Sequence, residues 1–353
     1  MIALLFAAGL WQLANPQQGS FVSRLGTDTV AVETFTRTAG RLQGEVLVRF
    51  PQVMRRRYDL RLDSSGRVVS AEVATLIPRP DTTDSVRVRR YDTTRGFSTF
   101  VGDAWGPWEL VTVQARRSRG DSLRFYYWQA GAPDTGAIDV FRLGRDSLLL
   151  RDPNQAHRAR VDGDGRLLSV VRPEQQFRVE RVPTPWLSQL AASWAQRERR
   201  DGPMGPLSTR DTVRSVIGGA TLSIDYGRPS RRGREIFGRL VPFGEVWRTG
   251  ANAATRLTAD RAISFGGTVL PAGSYSLWTI PGDSAWALIV NGDPAPGASR
   301  DPARDLYRLP MRLARLPRAV EQLTIAIAPE GSGGVIRIQW DLVEASIPFT
   351  VSR

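Results

Sequence analysis

Hydrophobic and polar residues alternate in short runs along most of the chain, the period-two signature of strands that bury one face. Thr29–Thr36 (TVAVETFT), Glu45–Phe50 (EVLVRF) and Tyr58–Leu62 (YDLRL) are of this kind. Asp63-Ser64-Ser65-Gly66 turns the chain into Val68–Ile77, and Asp162-Gly163-Asp164-Gly165 turns it into Leu167–Val171, the polar and glycine chemistry of hairpins. No helical period interrupts residues 20–183. The pattern there predicts an antiparallel meander, curled into a curved sheet or half-barrel with one concave apolar face. One stretch does carry the helical period. Thr184 offers a capping hydroxyl, Pro185 suits the first helical position, and Trp186, Leu187, Leu190, Ala191 and Trp194 form a single stripe. This linking helix is expected over 184–200 and ends on Arg197, Arg199 and Arg200, cations suited to the negative end of the helix dipole. Asp201-Gly202-Pro203-Met204-Gly205-Pro206 then breaks the helix, placing a linker at 201–210 between two β domains. Beyond it Ala220–Tyr226, Thr255–Ala259, Ser274–Ile280, Trp286–Asn291, Gln322–Ala328, Val335–Trp340 and Ser346–Val351 read as strands. They suffice for a β-sandwich or jelly roll over 211–353, so the expected fold class is all-β.

The first fourteen residues, MIALLFAAGLWQLA, are apolar throughout but shorter than the roughly twenty needed to span a bilayer. Their length and small residues fit a secretory signal, although a basic leading segment and a clean cleavage site are missing. The expectation is an exported, periplasmic or secreted bacterial protein whose mature chain has no membrane span.

Composition removes whole classes of chemistry. Cysteine is absent, which excludes disulfides, zinc ribbons, iron–sulfur clusters and thiol nucleophiles. His157 is the single histidine, so no multi-histidine metal site exists, and its strand context with basic neighbours offers no triad. Lysine is absent too, so neither a phosphate-binding G-x-x-x-x-G-K-[ST] loop nor a Schiff base can form. No cofactor or metal is expected. The net charge of +13 is carried entirely by arginine. Those arginines mostly alternate with apolar residues along strands instead of forming a basic run, so a nucleic-acid partner is not expected. Asp162 and Asp164 begin like a calcium loop, but the later ligands and the closing Glu are missing, which leaves a plain turn.

The segment from Asp225 to Thr255, DYGRPSRRGREIFGRLVPFGEVWRTGANAAT, is the most unusual in composition. With Leu270–Pro281 (LPAGSYSLWTIP) and Trp286–Asn291 it resembles the bacterial family known as domain of unknown function 2911. The resemblance covers about the last two-fifths of the chain, residues 211–353. It implies a β-sandwich in exported or envelope proteins and brings no activity with it. The residues themselves say more. From Arg228 to Arg256 seven arginines face two acids, Glu235 and Glu245, and Gly227, Gly233, Gly238, Gly244 and Gly250 let the backbone turn sharply or approach something closely. Arginine forks grip carboxylate, phosphate or sulfate, and tryptophan offers a stacking plane. Arg228, Arg232, Arg234, Trp247, Arg248 and Asn252 are therefore the candidate site for an anionic or glycan ligand, in a protein expected to be non-catalytic. The same guanidiniums are equally suited to bracing a long loop by bonding its own carbonyls.

Two alternatives remain. Trp105, Trp108, Tyr126 and Trp128 could line the hollow of the first domain as a carrier site for an apolar ligand or lipid, or simply form its core. Tyr126-Tyr127-Trp128 must point to alternate faces in a strand, so they cannot all serve one hollow. A carboxylate-based hydrolase needs two acids about 5–10 Å apart, and Asp225, Glu235, Glu245 and Glu321 are the candidates.

Overall fold

The computed structural model describes residues 16–77, 85–101, 103–129, 135–152, 155–184 and 187–352. The expected leader over 1–14, and Pro185 and Trp186 at the expected helix start, lie outside them. The chain divides into two compact units at Gly205/Pro206.

Unit one is built from β1 (Gln17–Leu25), β2 (Asp28–Arg37), β3 (Arg41–Val48), β4 (Met54–Leu62), β5 (Val68–Ile77), β6 (Ser85–Phe97), β7 (Thr99–Val101), α1 (Gly106–Arg117), β8 (Ser122–Gln129), β9 (Thr135–Arg142), β10 (Ser147–Arg151), β11 (Ala156–Val161), β12 (Leu167–Arg172), β13 (Phe177–Arg181) and α2 (Leu187–Asp201). The strands form one meander, ordered β6-β5-β4-β3-β2-β1-β13-β12-β11-β10-β9-β8-β7. β6 and β7 stand at opposite edges of that order, yet Ser98 alone separates them in sequence, so the sheet must roll until its edges meet. Strong curvature needs relief on the concave side. Gly19 faces Phe35, Gly44 faces Tyr58 and Gly136 faces Tyr127 on neighbouring strands. A Cβ on these glycines would come within 2.3, 2.2 and 2.1 Å of the opposing aromatic side chain, so ring and missing side chain are matched partners.

The interior is filled by α1, a helix the pattern did not predict. Gly106–Val113 and Ala115 are buried almost without interruption, so the helix shows no polar stripe to give it a period. Its Val111-Thr112-Val113 run also imitates a strand. Pro107 in the first turn and Arg116 and Arg117 in the last are ordinary helix punctuation. What starts the helix is remote in sequence. Glu33 of β2 accepts hydrogen bonds from the backbone N–H groups of Trp105 and Gly106, and the Tyr58 hydroxyl donates to its Oε1 at 2.5 Å. Burial pushes the Glu33 carboxyl up to about 7. Glu109, one turn on, accepts from the Leu167 N–H at 2.8 Å and pairs with Arg181, and burial raises it too.

The predicted second helix is present as α2 and covers the convex face. Leu187, Leu190, Ala191 and Trp194 pack with Val22, Val32, Leu47 and Val53, and Glu198 accepts from the Val53 N–H.

Unit two contains β14 (Ser208–Ile217), β15 (Ala220–Pro229), β16 (Thr255–Ala259), β17 (Ile263–Phe265), β18 (Thr268–Leu270), β19 (Gly273–Ile280), β20 (Trp286–Asn291), β21 (Asp305–Glu330) and β22 (Gly333–Val351). Their order is β14-β15-β16-β19-β20-β21-β22-β17-β18. The β21–β22 hairpin is far longer than the pattern suggested, because Pro310, Pro317 and the intervening arginines mask the strand character of 305–321. Register shifts between Arg315 and Thr324 let β21 bend. Its first part pairs with β20, while its second part lies over β15, where the Ile325 N–H donates to Tyr226 Oη at 3.0 Å. The sheet thus folds over one core containing Leu222, Ile224, Tyr226, Leu257, Leu277, Leu288, Ile325 and Trp340.

Candidate functional site

The loop between β15 and β16 is ordered by its own arginines. Arg228 donates from Nε to the Leu323 carbonyl (3.0 Å), from Nη1 to Asp211 (2.8 Å) and from Nη2 to Thr324 Oγ1 (3.2 Å). Arg234, only 7% exposed, donates from Nε to the Arg231 carbonyl (3.0 Å) and from Nη2 to the Ser230 carbonyl (2.5 Å), and burial lowers its pKa. The Arg232 N–H donates to Glu321 Oε1 at 2.8 Å. Trp247 exchanges backbone hydrogen bonds with Thr279, donates from its indole to the Gly250 carbonyl at 3.1 Å, and stacks on Trp340 at 6.0 Å.

Arg228 and Arg234 are therefore turned onto the protein's own oxygens, and Trp247 belongs to the aromatic core. The six sequence-derived residues do not gather into one outward anion patch. The Arg248 Nε is buried without a hydrogen bond, and burial alone lowers that guanidinium. Asn252 is exposed, with φ +65°. Between them Thr249, buried and β-branched, is held at φ +55°, a conformation that costs about 1–3 kcal/mol. Its Oγ1 bonds Thr279 Oγ1 at 3.2 Å, and its carbonyl accepts from Thr255 Oγ1 at 2.8 Å.

What the loop does present is aromatic. Ile236 and Val241 bury, leaving Phe237 half-buried and Phe243 46% exposed. These two rings join Trp286, Asp283, Arg315 and Val343 around a cleft of about 230 Å³. Beneath it Phe237 meets Trp286 at 4.8 Å (68°), Trp247 at 6.1 Å (76°) and Trp340 at 6.2 Å (89°), edge-to-face contacts that fix the floor. Phe243, Asp283 and Arg315 carried no signal in the sequence, because only the fold brings such distant segments together. Among the described residues, Asp283 is the single carboxylate lining the cleft. Of the proposed hydrolase acids, Asp225 sits between Arg210 (2.8 Å) and Arg256 (3.3 Å), Glu321 holds the Arg232 backbone, and Glu235 and Glu245 are exposed.

In unit one the four aromatic candidates separate. Trp105 and Trp108 are buried at the start of α1, 5.6 Å apart, and Trp128 stacks on Tyr91 at 5.0 Å, but Tyr126 is 55% exposed on the opposite face of its strand. A larger groove of about 580 Å³ runs over the outer face of β1–β5. Its charged groups are already paired, Arg57 with Glu45 at 3.0 Å and Asp59 with Arg41.

Fold and cleft together define an all-β protein of two sheet units, the second carrying an aromatic-floored recess beside a long arginine-braced loop. Residues 208–349 match the family described as Protein of unknown function (DUF2911), while the N-terminal part matches no family. No curated protein matches the chain. Among solved structures, a DUF1089 family protein from Pseudomonas aeruginosa is similar at 14% identity and a TM-score of 0.32, over 47% of this chain and 95% of that one.

Proposed function

We propose that the protein is an exported, non-catalytic binding protein that takes a glycan in the cleft between Phe243, Trp286 and Arg315. The observation that carries this reading is Phe243, a large ring left 46% exposed above a floor of Phe237 and Trp286. Sugar rings present C–H faces to aromatic rings, and the flanking Asp283 and Arg315 suit their hydroxyls. At about 230 Å³ the cleft is below the roughly 300–1,000 Å³ of drug-sized pockets, so the guest is a single ring or a chain end. One lining carboxylate supports binding over glycoside hydrolysis, which uses two. Phe243→Ala is expected to weaken glycan retention about tenfold, from the loss of about 1–1.5 kcal/mol of ring contact, with Tm unchanged. A glycan array read with wild type and variant tests this, and equal retention by both would remove the reading. Export rests on the apolar residues 1–14, and recovery of the chain in the cytoplasmic fraction of a bacterial host would remove that part alone.

A second reading, an oxyanion at Arg248, is favoured by its buried, unbonded Nε. Sulfate titration should then give a salt-sensitive shift that Arg248→Gln abolishes and Arg248→Lys only partly restores.

A further inference from the structure

His157 of β11 is 4% exposed, yet neither Nδ1 nor Nε2 makes a hydrogen bond. Asp152 Oδ2, at the turn between β10 and β11, stands 3.6 Å from Nε2, beyond hydrogen-bond reach. Trp105 and Trp108 wall the imidazole at 5.7 and 5.3 Å, and Phe177 lies 6.1 Å from Trp105. Over Phe177, 3.9 Å from its ring centre, sits Arg172, bonded through Nη1 to Gln155 while its buried Nε is unbonded. Burial lowers Arg172 to about 10, opposed by the charge of Asp152. Three buried polar atoms without hydrogen bonds thus meet three aromatic rings at one end of the rolled sheet, where β10 and β12 terminate. Buried polar groups are ordinarily bonded, and unbonded ones carry a free-energy cost that packing alone does not explain.

We propose that this corner is a second ligand site, distinct from the glycan cleft, for a flat, uncharged apolar molecule bearing one hydroxyl or amide. The head group must be neutral because Asp152 and Arg172 already balance one another. A carboxylate would face Asp152, and an ammonium would face Arg172. The two ring nitrogens of His157 offer hydrogen-bonding positions to a hydroxyl, while Trp105, Trp108 and Phe177 bound the apolar body.

The test is calorimetric titration of the full chain with three probes that share one body, para-phenylphenol, biphenyl and para-phenylbenzoate. The phenol is expected to bind at least about tenfold tighter than the other two. His157→Phe should erase that preference and also raise Tm, because it removes two unbonded buried nitrogens; a histidine present only for packing would lower Tm and leave the preference intact. Asp152→Asn, at a side chain that is 12% exposed, should shift the preference toward the benzoate by leaving the Arg172 charge unbalanced. No probe binding, a phenol no tighter than biphenyl, or an unchanged preference in either variant overturns the proposal.

Discussion

Alanine at Gly227 should cost the C-terminal unit about 3 kcal/mol, the upper range for forcing atoms into a packed core, although it adds one methyl group to a strand. Ile224 and Tyr226 of β15 reach into the core and Gly227 lies against the loop instead, where a Cβ would stand 2.1 Å from the Ala251 carbonyl oxygen and 3.0 Å from its nitrogen. Gly250 has the reciprocal problem, with a Cβ 2.9 Å from the Gly227 carbonyl. The neighbour in both cases is backbone, which cannot rotate away. Relief requires lifting residues 249–253, and that breaks the Thr249–Thr279 and Thr255–Thr249 hydrogen bonds and unseats the Trp247 indole from the Gly250 carbonyl. Because Trp247 supports Phe237, the proposed glycan binding should fall with stability. Calorimetric unfolding measures the first effect. Gly144→Ala, where a Cβ meets nothing within 4 Å, is the control and should leave Tm unchanged. Equal Tm values for both variants would contradict the packing described for the loop.

The second large effect concerns pH. Glu33 is raised from 4.5 to about 7, chiefly by burial, and the hydrogen bonds from Tyr58, Trp105 and Gly106 only partly oppose this. A carboxyl whose folded value lies above its unfolded value binds protons more tightly in the native state. Its contribution is therefore fully present below pH 4.5 and is lost as pH rises through about 7. At about 1.36 kcal/mol per pH unit, the loss by pH 8 is about 3 kcal/mol. Glu109, raised in the same direction, adds to the slope. Urea unfolding of the wild type should show one transition that strengthens from pH 8 to pH 5. Glu33→Gln, which keeps an acceptor for the two backbone donors but has no charge to bury, should flatten most of that slope. A variant whose transition keeps the wild-type slope would mean that Glu33 is not the titrating group.

The strands of both units were legible because each buries one face, and period two survives wherever one side is wet. α1 was illegible for the opposite reason. Enclosed by the rolled sheet, it has no wet side, and Val111-Thr112-Val113 reads as strand. α2 lies on the surface and displayed its stripe in full. The glycines of the arginine-rich loop were recognised as backbone devices, and they divide into two kinds: Gly233, Gly238 and Gly244 adopt positive φ, whereas Gly227 and Gly250 admit another backbone. The fate of the arginines was not legible. Whether a guanidinium meets solvent or a carbonyl depends on Leu323, Thr324 and Asp211, which stand far away in sequence and near in space. The cleft was hidden likewise, since Phe243, Asp283 and Arg315 become neighbours only when β21 bends.

The pairing of β1 with β13 sets Phe21 opposite Arg181, joining the first and last strands of unit one at the middle of its sheet. A nascent chain cannot complete this sheet until residue 181 has left the ribosome; until then α1 and the concave aromatics have no enclosure. Such long-range closure makes slow refolding the expected behaviour and gives translation-coupled chaperones a reason to hold the first half.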